Sequence, residues 1–591
     1  MNKYFLGFSA LIAASCQSEK DKLTNTRPNI LIAISDDQSW PHAGAYGTEF
    51  VKTPAFDKVA KEGILFHNAI APSPGCAPSR SALVTGRYAW QNEHAGQHFS
   101  VWPRKYKTMS DVLKEAGYHV GYTGKGVAPF FHVLGGRYEN PAGPEYNSEE
   151  LQPPTPAISN IDYTGNFKKF LEDREPGQPF YFWYGSQEPH RRFAPFSGRG
   201  AGKEITDNEI PGFLPEFDSI RDDLLDYALE IEWFDEHLGR ILGILEETGE
   251  LDNTIIFVTS DNGMAFPAAK ANCYEFGIHV PLAVRWGKHV KPGREVDDVV
   301  SLVDFFPTVL EISGLSEPED MPVSGQSILD ILLLKKSGSI YDETRHVYAS
   351  RERHSSSRWQ NLGYPQRAVR TNKFLYIRNF KPERWPAGYP FHLSGDDTIT
   401  GYTDIDGTVG GLGPRYFVEN LHEPGMEEMA RHAVGKRPPD ELYDIQIDPA
   451  CMVNLSGIVS YETVRNNLHA QLMMFLSQTS DPRVTGDDPD VFETYPRYAG
   501  NREFPMPEWA YYMNQTVLDS LIAGVGTDES PAVRPDSIAE WGLKAGDYKL
   551  VMEDNWQLYL IEEHGMKNVT NQRSNLTGQF IKLYHYFKEK E

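Results

Sequence analysis

The stretch Asn29-Ile30-Leu31-Ile32-Ala33-Ile34-Ser35, closed by Asp36-Asp37, decides the fold. It is a continuous apolar run with no alternation, which reads as a strand buried on both faces inside a parallel sheet. Ile64–Ile70, Pro179–Tyr184 and Thr254–Ser260 (TIIFVTS) have the same texture, and His119–Thr123 reads as a further strand. Helical stretches lie between them. Thr53-Pro54 opens one, with Thr as cap and Pro in the first turn. Ser79–Thr85 and Met109–Ala116 are two more, and Leu302–Ile312 reads as a helix despite its proline. Arg221–Glu247 carries apolar residues at 224, 225, 228, 231, 234, 238, 241, 242 and 245, a helical period. The alternation predicts an α/β fold, a large, mostly parallel mixed sheet sandwiched by helices. Its strands end in Asp36-Asp37, Gly124-Lys125, Pro189-His190 and Asp261-Asn262, at the carboxyl edge where open α/β sheets bind ligands.

From about residue 346 the texture changes. Arg367–Asn379 and Glu441–Asp444 read as antiparallel strands and Tyr461–Leu476 as a helix, so 27–345 is expected to be the catalytic domain and 346–486 a smaller α+β subdomain with an antiparallel sheet. Residues 381–440, rich in Gly and Pro, read as long loops. Residues 487–591 form an extension without an assigned role, in which Tyr548-Lys549-Leu550 and Trp556–Tyr559 loosely echo Phe374–Tyr376 and Glu441–Asp444.

The chain has 591 residues and a formal charge of −25, from 57 basic and 82 acidic side chains. That balance argues against a nucleic-acid binder, which needs clustered cations. The 40 % apolar content excludes a disordered chain. Four cysteines are too few for a disulfide scaffold, and none is paired as CxxC. At the N-terminus, Lys3 precedes the apolar run Tyr4–Ala14, then Ser15-Cys16. The run is too short to span a bilayer and reads as a signal peptide. Ala13-Ala14-Ser15-Cys16 looks like a bacterial lipobox, with Cys16 as the lipidated residue and 1–26 as leader and tether. Gln17 after it favours the outer membrane by resemblance. The expectation is a cell-envelope lipoprotein whose only membrane contact is its lipid anchor.

Cys76-Ala77-Pro78-Ser79-Arg80, continued by Leu83-Val84-Thr85-Gly86-Arg87, is the sharpest motif. It resembles the signature of the type I, formylglycine-dependent sulfatases of the alkaline-phosphatase superfamily. Arg27-Pro28-Asn29-Ile30, Asp36-Asp37, Gly124-Lys125, Pro189-His190, Ser260–Gly263 and Lys270…Tyr274-Glu275 follow the family's order over about residues 27–480. The nearest resemblance within it is to heparan N-sulfatase and related bacterial polysaccharide sulfatases, on Asp261-Asn262-Gly263, Pro189-His190-Arg191 and Glu441–Asp444.

The resemblance implies that a maturating enzyme converts Cys76 to formylglycine, whose hydrate is the nucleophile. It implies Ca²⁺ on Asp36, Asp37, Asp261, Asn262 and the residue at 76, a set of hard oxygens suited to that ion. Arg80, Lys125 and Lys270 are the implied cationic clamp, and His190 the implied donor to the leaving group, a task that suits imidazole near neutral pH. Arg191, Arg192, Arg353 and His354 are candidates for contacts to a neighbouring sugar's anion. One feature departs from the family: Gly124-Lys125-Gly126-Val127-Ala128-Pro129 lacks the usual second histidine, and His132 lies further on. The implied substrate is a sulfated polysaccharide, algal (such as ulvan) or a glycosaminoglycan, carrying O-sulfate or N-sulfate. The alternatives are a phosphodiesterase or phosphonate monoester hydrolase of the same superfamily, and a non-catalytic glycan-binding lipoprotein.

Overall fold

The computed structural model describes residues 27–341, 345–394 and 412–504, with positions 397–400, 402, 404 and 581 and the strands between 537 and 568. Cys16 and the leader lie outside the described residues.

The main sheet contains β1 (Asn29–Ser35), β2 (Ile64–Ile70), β3 (His119–Gly124), β4 (Phe180–Gly185), β5 (Thr254–Ser260), β6 (His279–Arg285), β7 (Arg294–Val296) and β8 (Val300–Ser301). The order across it is β8-β2-β6-β5-β1-β4-β3, with β7 also on β2. Strand β1 is central and parallel to both neighbours, pairing Ile32 with Phe257 and Trp183. Its residues split between two cores. Ile30, Ile32 and Ile34 pack with Trp183, Phe257, Met109 and Phe305; Leu31 and Ala33 pack with Phe182, Phe56, Phe234 and Leu238. That split is what an unalternating apolar run requires.

Helices α1 (Pro54–Glu62), α4 (Tyr163–Glu172) and α5 (Asp218–Glu247) cover one face. Helices α3 (Met109–Glu115) and α6 (Phe305–Ile312) cover the other. Pro307 is tolerated because it sits in the first turn of α6, where amides have no intrahelical partner.

The sheet is mixed because β6 runs antiparallel to both β2 and β5. Strand β6 was not among the expected strands, and it holds Pro281, a residue that ordinarily argues against a central strand. The register shows how the proline is accommodated. Leu282 pairs with Phe66 and Val280 with Ala69, so the irregularity between Phe66 and Ala69 on β2 lies opposite Pro281, which has no amide to donate.

The second sheet is antiparallel, in the order β9 (Val347–Arg351), β10 (Gln366–Arg370), β11 (Phe374–Asn379) and β12 (Asp440–Asp444). Helix α7 (Glu462–Gln478) packs Leu468, Leu472 and Leu476 beneath it against Val369 and Tyr376. Residues 381–440 are not only loops, since helices form at Leu412–Glu419 and Glu427–Val434. Met264, Phe266, Cys273 and Tyr274 share a core with Leu375, Ile377, Tyr443 and Cys451, which joins the second sheet to the loop after β5. Cys273 and Cys451 are thus core residues. Five further strands, β13 (Ser537–Ala539), β14 (Gly542–Ala545), β15 (Tyr548–Met552), β16 (Trp556–Glu562) and β17 (Gly565–Asn568), form an antiparallel meander. The echoed segments at 548 and 556 are antiparallel neighbours there, as β11 and β12 are in the second sheet.

Candidate active site

The carboxyl edge of the main sheet collects the site. Helix α2 (Cys76–Thr85) starts at Cys76 itself, so the thiol sits on the first turn. An open first turn presents unpaired amides and the positive end of the helix dipole. Cys76 is 2 % exposed and Arg80 fully buried. Burial pushes the Cys76 thiol up to about 11, against the pull of Lys125 and Lys270. An unmodified thiol held neutral is a poor nucleophile.

The acidic residues come from the ends of two adjacent strands. Asp36 and Asp37 follow β1; Asp261 and Asn262 follow β5. The Asp37 amide donates to Asp261 Oδ1 (3.1 Å), and Asn262 Nδ2 donates to Asp37 Oδ1 (2.8 Å). Asp37 has φ = 79°, a left-handed conformation uncommon outside glycine and found at functional sites.

Each acid also meets a cation. Arg80 Nε donates to Asp261 Oδ2 at 2.7 Å, Lys270 Nζ to Asp37 Oδ2 at 2.6 Å, and Lys125 Nζ to Asp36 Oδ2. Arg80 Nη1 also donates to the Lys125 and Gly126 carbonyls. Burial alone would raise the Asp36 carboxyl, but Lys125, His190, Arg80 and Lys270 hold it well below the usual range. Asp261 is pushed up to about 6 by burial and by Asp36, despite Arg80 and Lys125. Gly124 makes the approach possible: at φ = 75° an added Cβ would lie 2.0 Å from the Gly185 carbonyl oxygen. The strand end turns there and delivers Lys125.

His190 is the most exposed member, its side chain 38 % accessible. Nδ1 lies 2.7 Å from the Arg191 carbonyl, which makes Nδ1 the donor, and Nε2 lies 3.9 Å from Asp37 Oδ2. A cavity of about 950 Å³ opens beside it, bordered by Asp36, Lys125, Asn147, Gln187, His190 and Arg192. That is large for a ligand pocket and polar enough for a saccharide.

The donors fit a hard divalent cation. Asp36 Oδ1 and Asn262 Oδ1 are buried without a hydrogen-bond partner among the described residues, and ligand atoms of Asp36, Cys76 and Asp261 lie within 4.8 Å of one another. Buried oxygens left without a partner are costly unless something binds them.

The expected sugar contacts are placed differently. Arg191 is not free to reach a substrate anion: its fork is held by Asp223 (Nη1 to Oδ1, 2.8 Å) and its Nε donates to the Ala265 carbonyl. Its exposed neighbour Arg192 borders the cavity. Arg353 is buried and donates to the carbonyls of Tyr495 and Pro496. His354 is 9 % exposed, packed edge-on to His98 at 4.5 Å.

His98 is the residue that sequence reasoning missed. Its Nε2 stands 3.0 Å from Cys76 Sγ and 3.5 Å from the Ala77 amide, and its buried Nδ1 has no hydrogen-bond partner among the described residues. Burial, then His354, Lys270 and Lys125, hold it well below the usual imidazole range, hence neutral. The stretch after Lys125 has no histidine, and His98 is the imidazole that touches position 76 in this chain. His132 instead accepts the amides of Gly135 and Arg137 on its carbonyl.

A cysteine on a helix N-terminus, flanked by paired carboxylates, three cations and a half-exposed imidazole, gathers at one sheet edge the groups that a hydrolase of anionic esters needs. Residues 28–315 form a sulfatase family domain by their match to the sulfatase sequence model, and 268–386 match that of the N-sulphoglucosamine sulphohydrolase C-terminal region; with sulfatase relatives, this makes the protein a hydrolase of sulfuric esters. It is similar to an ulvan-active sulfatase of Formosa agariphila, 28 % identical over 469 residues, 78 % of this chain and 82 % of that one. It is also similar to human N-sulphoglucosamine sulphohydrolase, 27 % identical over 507 residues, covering 79 % and 93 %. A solved bacterial enzyme in complex with D-glucosamine-2-N,6-O-disulfate shares the fold, with a TM-score of 0.53 and 21 % identity over 78 % of this chain and 99 % of that one.

Proposed function

We propose that the protein releases sulfate from a sulfated polysaccharide or its oligosaccharides, with position 76 carrying the nucleophile as formylglycine and with Ca²⁺ held by Asp36, Asp37, Asp261 and Asn262. The observation that carries this is the pairing of three cations, Arg80 and Lys270 buried and Lys125 mostly so, with three buried carboxylates around Cys76. The relatives named for ulvan and for N-sulphoglucosamine support the substrate class.

Formylglycine supplies a hydroxyl nucleophile in place of the poorly reactive thiol, and the cation supplies charge against the sulfuryl oxygens. The chain's own residues do the rest. The α2 N-terminus, Arg80, Lys125 and Lys270 favour an anion beside position 76. His190, on the open side with Nδ1 fixed by a carbonyl, carries its transferable proton on Nε2, toward the leaving group. His98 presents Nε2 to the side-chain atom of residue 76.

We further read Cys16 as the lipid attachment point of an outer-membrane protein, on the strength of Lys3, the apolar run to Ala14 and the small residues before it. Maturation of Cys76 requires a formylglycine-generating or anaerobic sulfatase-maturating partner.

The test is a panel. The protein, co-produced with such a maturating enzyme, is offered ulvan and glycosaminoglycan oligosaccharides and a phosphodiester. Sulfate release from at least one sulfated sugar is expected. Hydrolysis of the phosphodiester alone, or of nothing, overturns the reading.

A further inference from the structure

The segment from Tyr495 to Arg502 packs against the loop that follows His98. The Tyr498 amide donates to the Phe99 carbonyl (2.8 Å), Ser100 Oγ to the Pro496 carbonyl (3.1 Å) and the Arg502 amide to Ser356 Oγ (2.9 Å). The segment is thereby tied both to the loop that carries His98 and to the turn that carries Arg353 and His354.

Three guanidiniums gather there. Among the described residues Arg353 donates only to the Tyr495 and Pro496 carbonyls, at 2.8 and 3.3 Å, and its buried Nε has no partner there. Arg502 Nη1 donates to the Ser356 carbonyl at 2.9 Å. Arg497 lies over the Phe99 ring, 4.6 Å from its centroid, and its Nε and Nη1 are shut from solvent with no hydrogen-bond partner among the described residues.

The contrast with other arginines is chemical. Arg351, Arg358, Arg367, Arg384 and Arg483 are buried as Arg353 is, more deeply than the partly buried Arg497 and Arg502, and each holds a carboxylate. No ion pair joins Arg353, Arg497 or Arg502 to a carboxylate within 4.0 Å among the described residues. Burial, with Arg353 and Arg502 nearby, brings Arg497 down to about 9; Asp404 pulls the other way but is already held by Arg351, Arg358 and Ser355. A shielded guanidinium without an anion is costly, and a ligand anion relieves that cost. Arg497 is also within electrostatic reach of His98, whose ring touches Cys76.

We propose that Arg497, with Arg353 and Arg502, receives a second anionic group of the substrate, next to the sulfate that is removed. The proposal rests on the sulfatase reading above and gives residues 495–502 a role in choosing substrates. The planar fork accepts a sulfate or a carboxylate equally well.

The test uses the matured full chain and its Arg497→Ala and Arg497→Lys variants. Three substrates are compared: a monosulfated sugar, the same sugar with a second sulfate, and a monosulfated disaccharide bearing a uronic acid. Arg497→Ala is expected to lose about tenfold or more of kcat/KM on a doubly anionic substrate beyond any loss on the singly charged one. Arg497→Lys falls between, because it keeps the charge without the fork. An extra loss confined to the disulfated sugar identifies sulfate as the second group; one confined to the uronate identifies carboxylate. Equal losses on all three overturn the proposal. If the wild type releases no sulfate, the sulfatase reading fails by itself. Calorimetric binding of the disulfated sugar to the unmatured chain then decides the receptor. Weaker binding by Arg497→Lys supports it, and unchanged binding overturns it.

Discussion

Two walls of the site hold their cations in opposite ways. On the sheet edge, Arg80, Lys125 and Lys270 are each matched to Asp261, Asp36 and Asp37. On the C-terminal side, Arg353 and Arg502 rest on carbonyl groups and Arg497 on an aromatic face. The first arrangement fixes geometry, because charge-assisted hydrogen bonds in a buried setting are short and directional. The second leaves charge uncommitted and available to a ligand. The comparison also settles the puzzle of an acidic protein proposed to act on a polyanion. A formal charge of −25 opposes loose adhesion to long sulfated chains, while the cations proposed to meet the substrate are gathered locally on these two walls.

Breaking the matched wall has the largest expected effect. Asp261→Ala removes a proposed metal ligand and strands Arg80, so turnover should fall by a factor of about 10³ or more. Stability should fall by about 3–5 kcal/mol, as when one partner of a buried pair is lost. Arg353→Ala, on the unmatched wall, removes hydrogen bonds to two carbonyls and should cost about 1–2 kcal/mol. Urea unfolding of the two variants checks the ranking; equal losses would erase the distinction between the walls.

A smaller effect sharpens how residues 487–504 are anchored. Glu493 accepts from Arg384 and Arg483. Burial alone would raise its carboxyl, but those two arginines bring it down to about 2, from an ordinary value of 4.5. A depressed carboxyl gives stability that is present above the unfolded value and lost as pH falls toward the folded one. Between pH 6 and pH 3 the wild type should lose about 2 kcal/mol through this group. Glu493→Gln should show a correspondingly shallower acid dependence in denaturant titrations at the two pH values.

Much of the sheet edge was legible in the sequence, because each functional side chain sits just after an unbroken apolar strand or in a motif of fixed spacing. Asp36, Lys125, His190 and Asp261 are examples. Strand β6 was hidden because its proline contradicts a central strand, and only the irregularity on β2 explains how it fits. Arg191 was misread because sequence cannot show that Asp223, on α5, stands opposite it. His98 and Arg497 have no motif at all. His98 reaches Cys76, and Arg497 the Phe99 ring beside His98, through packing of separate segments, and the only hint was the missing histidine after Lys125.

The central claim is that position 76 is the reacting group. The direct measurement is sulfate release from an active sulfated oligosaccharide by wild type and Cys76→Ala, both co-produced with a maturating enzyme. The account predicts release by the wild type and none above background by the variant, at unchanged folding. Continued release by Cys76→Ala would contradict it.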